Sequence, residues 1–350
     1  MEGGIRAHLM TNHHLQAFHP DYFSVKSGLF SYSGENSRAA RRLQEPRPDA
    51  PIFFADPLPD PGEDWKIIEI SDLVLFFRNP CRFLVERRLA ATLGEDTDIL
   101  IDREAFDISG LEKYDLEQRF VEKALAGQNL EALFPIFRAS GRLPHGNVGA
   151  CTYGNLVREA ENFAAGIKPW LAGEASGPVD IGLDIAGFRL NGRIENLYRS
   201  GLFHFRYADL KAKDYLRLWI HHLILLSSGH DPLESTLIGR DRVWSCPPVG
   251  NAQAVLEQLL IIYWKGLTIP LKFFPESSLK FAEQLLVKGK RAPEALRAAR
   301  RIWAESEYGH GESEDLYYRR CFGEQDPLDE EFERLSLMVY EPLLKPGTKT

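Results

Sequence analysis

The sequence lacks the features that mark several large classes of protein. Its four cysteines are scattered without a CxxC pair, which predicts reduced thiols and a cytoplasmic protein. No apolar run approaches the length of a membrane span, and residues 1–14 lack the apolar core of a signal peptide, so we expect no membrane partner. The motifs GxSxG, GxxxxGK[ST] and HExxH are missing. We therefore expect neither a serine hydrolase, nor a P-loop motor, nor a zincin-type zinc protease.

The charge of the chain is unevenly distributed. Hydrophobic residues make up 44% and charged residues 26%, as in an ordinary globular protein, and the net charge is −8. An acidic chain is a poor general coat for nucleic acid. However, residues 199–217 carry five cations against two carboxylates, and residues 280–301 carry seven against two. Each basic run is either a solvated face or a phosphate-binding face, and the sequence leaves both open.

Two regions are predicted from composition. Residues 1–64 show no clear periodicity and end in a proline-dense stretch, which predicts an extended, aromatic-rich arm and linker. Residues 65–350 show regular patterns and are predicted to form one α+β domain: helices, then a small antiparallel meander, then helices. Ser71 or Asp72 is expected to cap the first helix of this domain. Asn79-Pro80 is expected to start the second.

The remaining elements follow from apolar spacing. Alternation predicts three strands between 178 and 207, with turns at Gly187 and Ser200-Gly201, and a hairpin of Thr236–Ile238 with Val243–Ser245. Helical spacing predicts helices over most of 115–139, 152–170, 211–226, 251–267, 276–288, 293–305 and 329–344.

One stretch nearly forms the metal site of a DNA-cutting enzyme. Glu195 follows Gly192-Arg193-Ile194 on a predicted strand, and Asp209-Leu210-Lys211 comes fourteen positions later. Two carboxylates on neighbouring strands can bind a divalent ion, and a lysine beside them can stabilise the attacking hydroxide. The alternative is that Glu195, Asp209 and Lys211 are surface or capping residues, since D-x-K is a common tripeptide.

Four segments have a recognisable pattern: HHLQAFHPDYF at 13–23, ISDLVLFFRNPCRFLVERRL at 70–89, LKAKDYLRLWIHHLILLSSG at 210–229 and EFERLSLMVYEPLL at 331–344. Together they resemble the C-terminal region of the RecC family, the gamma subunit of exodeoxyribonuclease V (RecBCD). The resemblance is collinear over nearly the whole chain and is strongest at 70–89.

The resemblance implies a fold of the restriction-endonuclease (PD-D/E-x-K, RecB-nuclease-like) type that has lost its activity, with a small mixed or antiparallel sheet flanked by helices. Gly192-Arg193-Ile194 matches the glycine strand of that pattern, with Glu195 in place of aspartate. Asp209 and Lys211 match the aspartate and lysine of its D-Y-K strand, but the helix at 152–165 has no histidine for the remaining role. The resemblance thus implies that the isolated chain is not an enzyme and holds no cofactor, whereas partner subunits use Mg and ATP.

The same resemblance implies a role in handling DNA. The implied partners are the RecB and RecD subunits and the double- and single-stranded DNA at a fork, during double-strand-break repair by recombination and the degradation of linear DNA in the bacterial cytoplasm. The two basic runs supply the candidate phosphate contacts, which are Arg206, Lys211, Lys213, Lys290, Arg291, Arg297 and Arg300.

Two other functions stay open from the sequence. The first is a live Mg-dependent nuclease that uses Glu195, Asp209 and Lys211. The second is a pure protein-interaction module, in which the aromatic arm at 13–33 and the acidic C-terminal stretch at 312–341 bind a partner subunit and no DNA is touched. An iron–sulfur cluster of the kind found in nucleases related to the AddB subunit is not expected, because Cys81 has only Cys321 as a late partner. Cys81 is instead predicted to be a small buried residue.

Overall fold

The chain divides into two compact units, Met1–Ile52 and Phe53–Thr350. The computed structural model describes residues 10–45, 53–54, 56–94, 110–141, 143–171, 177–198, 201–230, 234–304, 311–323 and 325–345. The sequence-based boundary at residue 64 stays a prediction.

The first unit contains an α-helix that the sequence analysis missed. Helix α1 spans Gly34–Gln44, and the hydroxyl of its N-cap Ser33 accepts the Asn36 N–H at 3.2 Å. A 3-10 turn precedes it at Pro20–Phe23. The prediction of a wholly irregular arm is therefore wrong for α1. This helix has few apolar residues, but its N-cap and the two arginines of its last turn stabilise it.

The second unit is a mixed α+β structure with small sheets flanked by helices. Its strands are β1 Ile67–Glu69, β2 Val179–Ile185, β3 Phe188–Ile194, β4 Leu197–Tyr198, β5 Gly201–Phe205, β6 Ser235–Ile238 and β7 Val243–Cys246. Its α-helices are α2 Ile70–Arg78, α3 Pro80–Phe83, α4 Gly110–Leu125, α5 Phe134–Ala139, α6 Gly146–Ile167, α7 Ala212–Ser227, α8 Ala252–Gly266, α9 Pro275–Ala282, α10 Ala292–Ala304, α11 Leu316–Phe322 and α12 Glu330–Leu344. Helices α3 and α9 continue as π-helical turns at Leu84–Arg88 and Glu283–Val287. Short 3-10 turns lie at Glu63–Lys66, Glu131–Leu133, Lys168–Leu171 and Glu312–Glu314.

The strands form two sheets rather than one meander. The first has the order β1-β3-β2, and the second has the order β4-β5-β6-β7. The β2–β3 and β6–β7 pairs are antiparallel as predicted, but β1 runs parallel to β3 and β5 runs parallel to β6. The predicted antiparallel meander is wrong at β5, because helix α7 carries the chain across to a parallel partner.

Gly201 permits the close approach of β5 to the residue before β6. Its φ is +134°, and a Cβ at this position would lie 1.5 Å from the backbone oxygen of Glu234. Only glycine fits such a space and such a backbone angle. The first residue of β5 must therefore be glycine for β5 to pair with β6 as it does.

Two helix starts show how local chemistry sets the fold. Asn79 caps α3 as predicted, since its Oδ1 accepts the Arg82 N–H at 2.9 Å and Pro80 takes the first helical position. Helix α2 begins earlier than predicted, at Ile70, and its N-cap Glu69 makes no side-chain capping bond. The expected cap by Ser71 or Asp72 is therefore wrong, and the helix is held by burial of its apolar face.

The main core forms where α2 and α7 meet beneath the sheets. Phe76, Phe77 and Trp219 are fully buried there, and burying each large apolar side chain stabilises the fold by about 1.5–3 kcal/mol. A second cluster lies between α4 and α6, and a third between α10 and α11. Among the described residues, no helix is long and apolar enough to cross a bilayer.

Candidate nucleic-acid interface

Glu195 and Asp209 are carried by different sheets. Glu195 is an exposed residue that follows β3, whereas Asp209 follows β5 and pairs with Arg240, Nη2 to Oδ1, at 3.3 Å. The pairing of Leu197 with Leu202 sets the register between the two segments. Asn196, which separates Glu195 from β4, has a φ of +60°, so the chain turns directly after Glu195.

No metal-ligand group includes either carboxylate in the part of the chain that the structure describes. The cluster of three potential ligands found there consists of His14, His19 and Asp21, in the first unit. Its members already satisfy one another, since His14 Nε2 lies 2.8 Å from Asp21 Oδ2 and His19 Nδ1 accepts the Asp21 N–H. Asp209 and Lys211 line the same groove, which is described below, whereas Glu195 does not line it.

Arg206 is held inside the fold by two contacts. Its Nη1 lies 2.5 Å from Asp214 Oδ2, and its guanidinium stands 5.2 Å from the Tyr114 ring centroid. Only 14% of the Arg206 side chain is exposed. Asp214 also accepts the Lys211 N–H at 2.9 Å, so it caps helix α7. Among the predicted phosphate contacts, Arg206 is thus held in a partly buried ion pair inside the fold.

Two partly buried carboxylates hold the starts of α7 and α9. Glu276 Oε1 accepts the Ala212 N–H at 3.1 Å. Glu312 accepts the N–H groups of Glu276 and Ser277 at 3.1 and 2.8 Å, and the Ser277 hydroxyl at 2.6 Å. Burial raises the pKa of both carboxyls, and that of Glu312 reaches about 7. These carboxylates satisfy helix N-terminal amides that have no partner within their own helices.

A groove of about 1000 Å³ lies between these helix starts. It is lined by α2, α3 and α9 with their π-turns, and residues from 209–215, 241–242 and 311–318. Its cations are Arg78, Arg82, Arg87, Lys211, Lys213, Arg242 and Lys280. Its carboxylates are Glu86, Asp209, Asp241, Glu276, Glu283, Glu312 and Asp315. Sequence reasoning found Asp209, Lys211 and Lys213, but missed Arg78 and Lys280, because no spacing links segments about two hundred positions apart.

A second basic surface lies at the start of helix α10 and along its exposed side. Lys290, Arg291 and Arg297 are exposed, and none has a carboxylate partner among the described residues. Arg300 differs, because its Nε lies 2.8 Å from Asp326 Oδ2. The opposite side of α10 is buried through Ala295 and Ala299, so the helix presents its cations to solvent.

The four thiols lie in three separate places. Cys81 and Cys321 share the third core cluster, Cys246 belongs to the main core, and Cys151 is exposed on α6. Burial, followed by its contact with Cys321, raises the pKa of the Cys81 thiol. Cys81 is buried as predicted. Its surroundings are apolar and aromatic, which suits an inert thiol.

Comparison with known proteins identifies the family. The family model described as the RecC C-terminal domain matches residues 65–286. The chain belongs to the RecC C-terminal domain family. It is 25% identical to the RecBCD enzyme subunit RecC of Escherichia coli strain K12 over 336 residues, which is 93% of this chain and 29% of that protein.

Other RecC subunits are similar to the same extent. The RecBCD enzyme subunit RecC of Mycolicibacterium smegmatis is 28% identical over 297 residues, which is 79% of this chain and 26% of that protein. The corresponding subunit of Buchnera aphidicola subsp. Schizaphis graminum is 26% identical over 294 residues, 81% of this chain and 27% of that protein. The chain thus spans less than a third of the length of these curated relatives.

Proposed function

We propose that this chain is a non-catalytic DNA-handling and subunit-docking domain of RecC in a RecBCD helicase–nuclease. In this role it acts in double-strand-break repair by homologous recombination and in the degradation of linear DNA, in the bacterial cytoplasm. Its partners are RecB, RecD, and the double- and single-stranded DNA of a fork. Membership of the RecC C-terminal domain family supports the proposal, and so do the names of the relatives, each a RecBCD enzyme subunit.

The observation that carries the non-catalytic half of the proposal is the position of Glu195. A divalent-metal nuclease needs its acidic ligands around one ion. Glu195 lies outside the groove that contains Asp209 and Lys211, and Asp209 is bound to Arg240. The core is accordingly proposed to be a restriction-endonuclease-like fold whose metal site is lost, so that Mg and ATP are used by the partner subunits alone.

A cleavage assay tests this half directly. The purified chain is incubated with linear DNA and Mg²⁺ or Mn²⁺, beside its Glu195→Ala and Lys211→Ala variants. We expect no cleavage above a metal-free control in any of the three samples. Cleavage by the unmodified chain that disappears in Glu195→Ala would establish the nuclease alternative and end this proposal.

The DNA-handling half rests on the cations of α10. Lys290 and Arg291 lie just before α10 and Arg297 lies on it; all three are exposed, and none forms an ion pair with a carboxylate of the described residues, in a chain of net charge −8. Exposed cations that are not neutralised internally are available for phosphates. Replacing all three with glutamine is expected to weaken the binding of a forked oligonucleotide by the full chain about tenfold or more at low salt.

The docking half rests on the exposed side chains of the first unit. Leu15, Phe30 and Tyr32 are 103%, 73% and 95% exposed, so this unit presents several large apolar side chains to solvent. Aromatic residues of this kind are enriched at protein interfaces. Deleting residues 10–33 should abolish co-purification with RecB and RecD. The α10 variant (Lys290→Gln, Arg291→Gln, Arg297→Gln) should leave it intact. If the deletion removed docking and the α10 variant left DNA binding unchanged, the pure interaction module would be the better description.

A further inference from the structure

Three potential metal ligands lie together at the 3-10 turn of the first unit. Three of the chain's ten histidines fall within residues 13–21, and two of them, His14 and His19, lie beside Asp21. One ligand atom of each of these three side chains lies within 4.8 Å of the other two. In the part of the chain that the structure describes, no other three histidine, cysteine, aspartate or glutamate side chains come together in this way.

The backbone around the turn holds the three positions in place. Pro20 takes the first position of the turn, and His19 is its N-cap. The His19 N–H donates to the Gln16 carbonyl at 3.0 Å, and the Tyr22 N–H donates to the His19 carbonyl at 3.1 Å. The hydroxyl of the buried Tyr22 side chain donates to the His14 carbonyl at 3.2 Å. The segment that carries His14 is thus held against the turn by hydrogen bonds that use none of the three ligand atoms.

The distances between the ligand atoms are close to those of a tetrahedral site. His14 Nε2 and His19 Nδ1 lie 2.8 and 3.5 Å from Asp21 Oδ2. Ligand atoms about 2.0–2.2 Å from a tetrahedral zinc ion lie roughly 3.4 Å from one another. The two imidazole rings are stacked with centroids 3.5 Å apart, so one ring has to turn for both nitrogens to point at one ion. The histidine side chains are 39% and 38% exposed, which leaves room for this rotation.

The chemistry of the ligand set selects one class of ion. Two imidazoles and one carboxylate suit zinc and the neighbouring transition metals, whereas Mg²⁺ and Ca²⁺ prefer sites made of oxygen atoms. Binding exchanges the His14–Asp21 hydrogen bond, and the long 3.3 Å bond from the Asp21 N–H to His19 Nδ1, for bonds to the ion. Three protein ligands leave a fourth position open to water.

We infer that His14, His19 and Asp21 bind one Zn²⁺ ion on the first unit, with water as the fourth ligand. The inference goes beyond the proposed function and does not depend on it. The ion joins residue 14 to the turn, and it thereby restrains the exposed Leu15, which directly follows His14.

Calorimetric titration of the full, untagged chain with ZnCl₂ tests the inference. We expect saturable binding that a large excess of Mg²⁺ does not displace. The site variant is His14→Ala, His19→Ala, and the matched control is His145→Ala, His230→Ala, which removes two exposed histidines elsewhere in the chain. The loss of a group that only supports a metal ligand typically costs about 10–100-fold in affinity, so we expect at least a tenfold loss for the site variant. The control should bind as the unmodified chain does.

A further variant separates ion binding from folding. Asp21→Asn keeps the shape of the side chain but removes its charge, and it should also weaken binding at least about tenfold, with an unchanged circular dichroism spectrum of the metal-free chain. No saturable binding by the unmodified chain, or equal affinities for the site variant and the control, would overturn the inference.

X-ray absorption of the zinc-loaded chain identifies the atoms that bind the ion. We expect nitrogen and oxygen neighbours at about 2.0–2.2 Å, and a loss of the imidazole signal in the site variant. Sulfur neighbours at about 2.3 Å would assign the ion to the cysteines and would equally end the inference.

Discussion

Glu312 receives two hydrogen bonds from Ser277, one from its backbone N–H and one from its hydroxyl, at 2.8 and 2.6 Å. Burial still dominates these bonds and raises the pKa of the carboxyl to about 7. The group that starts α9 therefore changes charge near neutrality.

Glu312→Gln should change how stability depends on pH. The folded-state pKa lies above the ordinary value of 4.5, so the folded chain takes up the proton first as pH falls. The contribution of the protonated Glu312 carboxyl to stability is complete below about pH 4.5 and is lost as pH rises through about 7. The wild type should thus lose on the order of 1–3 kcal/mol relative to Glu312→Gln between pH 5 and pH 8. Melting temperatures of both proteins across this range check it, and parallel curves would contradict it.

The two histidines of α7 should make the protein less stable as pH falls, whereas Glu312 makes it less stable as pH rises. Burial lowers the pKa of His221 to about 3 and that of His222 to about 4, and His222 Nδ1 lies 2.7 Å from Ser235 Oγ. The unfolded chain therefore takes up protons first as pH falls below about 6.5, and stability is lost towards pH 4. His221→Gln and His222→Gln should show lower melting temperatures at pH 7.5 but a shallower fall between pH 6.5 and 4.5. An equally steep fall in both variants would remove these histidines as the cause.

Arg206→Gln should act on stability and spare DNA binding. The change leaves the partly buried Asp214 without its ion-pair partner, which is expected to cost about 1–3 kcal/mol. Asp214→Asn should cost a similar amount, and the double variant should cost less than the sum of the two. Urea denaturation of the four proteins measures this coupling. A large loss of oligonucleotide affinity in folded Arg206→Gln would instead return Arg206 to the phosphate contacts.

Gly201→Ala should destabilise the second sheet severely. The new Cβ would collide with the Glu234 backbone oxygen at an already unfavourable φ, so we expect a loss above about 3 kcal/mol or failure to fold. Gly154→Ala is the control, because that helical glycine has open space around it and should gain about 0.5–1 kcal/mol. Similar denaturation midpoints for the two variants would contradict the packing described at β5.

The sequence predicted those elements whose determinants are local. Asn79-Pro80 carries its own cap and its own first helical residue, and the β6–β7 hairpin closes over a short turn, so both were found. The parallel pairing of β5 with β6 was missed, because an alternating strand pattern does not identify its partner across an intervening helix. Helix α1 was missed because it has few apolar residues and its start depends mainly on Ser33.

The candidate site was predictable only in part, for the same reason. Lys211 and Lys213 lie in one recognisable segment, and the structure keeps them in one groove with Asp209. Arg78 and Lys280 join them only through the packing of α2 and α9 against α7, which no linear spacing records. The neutralisation of Arg206 by Asp214 was equally invisible, since eight positions of sequence do not reveal an ion pair.

The carboxylates that start α7 and α9 also act as a mechanical linkage. Glu312 holds the first turn of α9, and Glu276 of that same turn holds Ala212 at the start of α7. Three walls of the groove are thus connected in series, although they come from segments far apart in the chain. A shift of any one wall would stretch or break a hydrogen bond to the next, so we expect the three walls to move together.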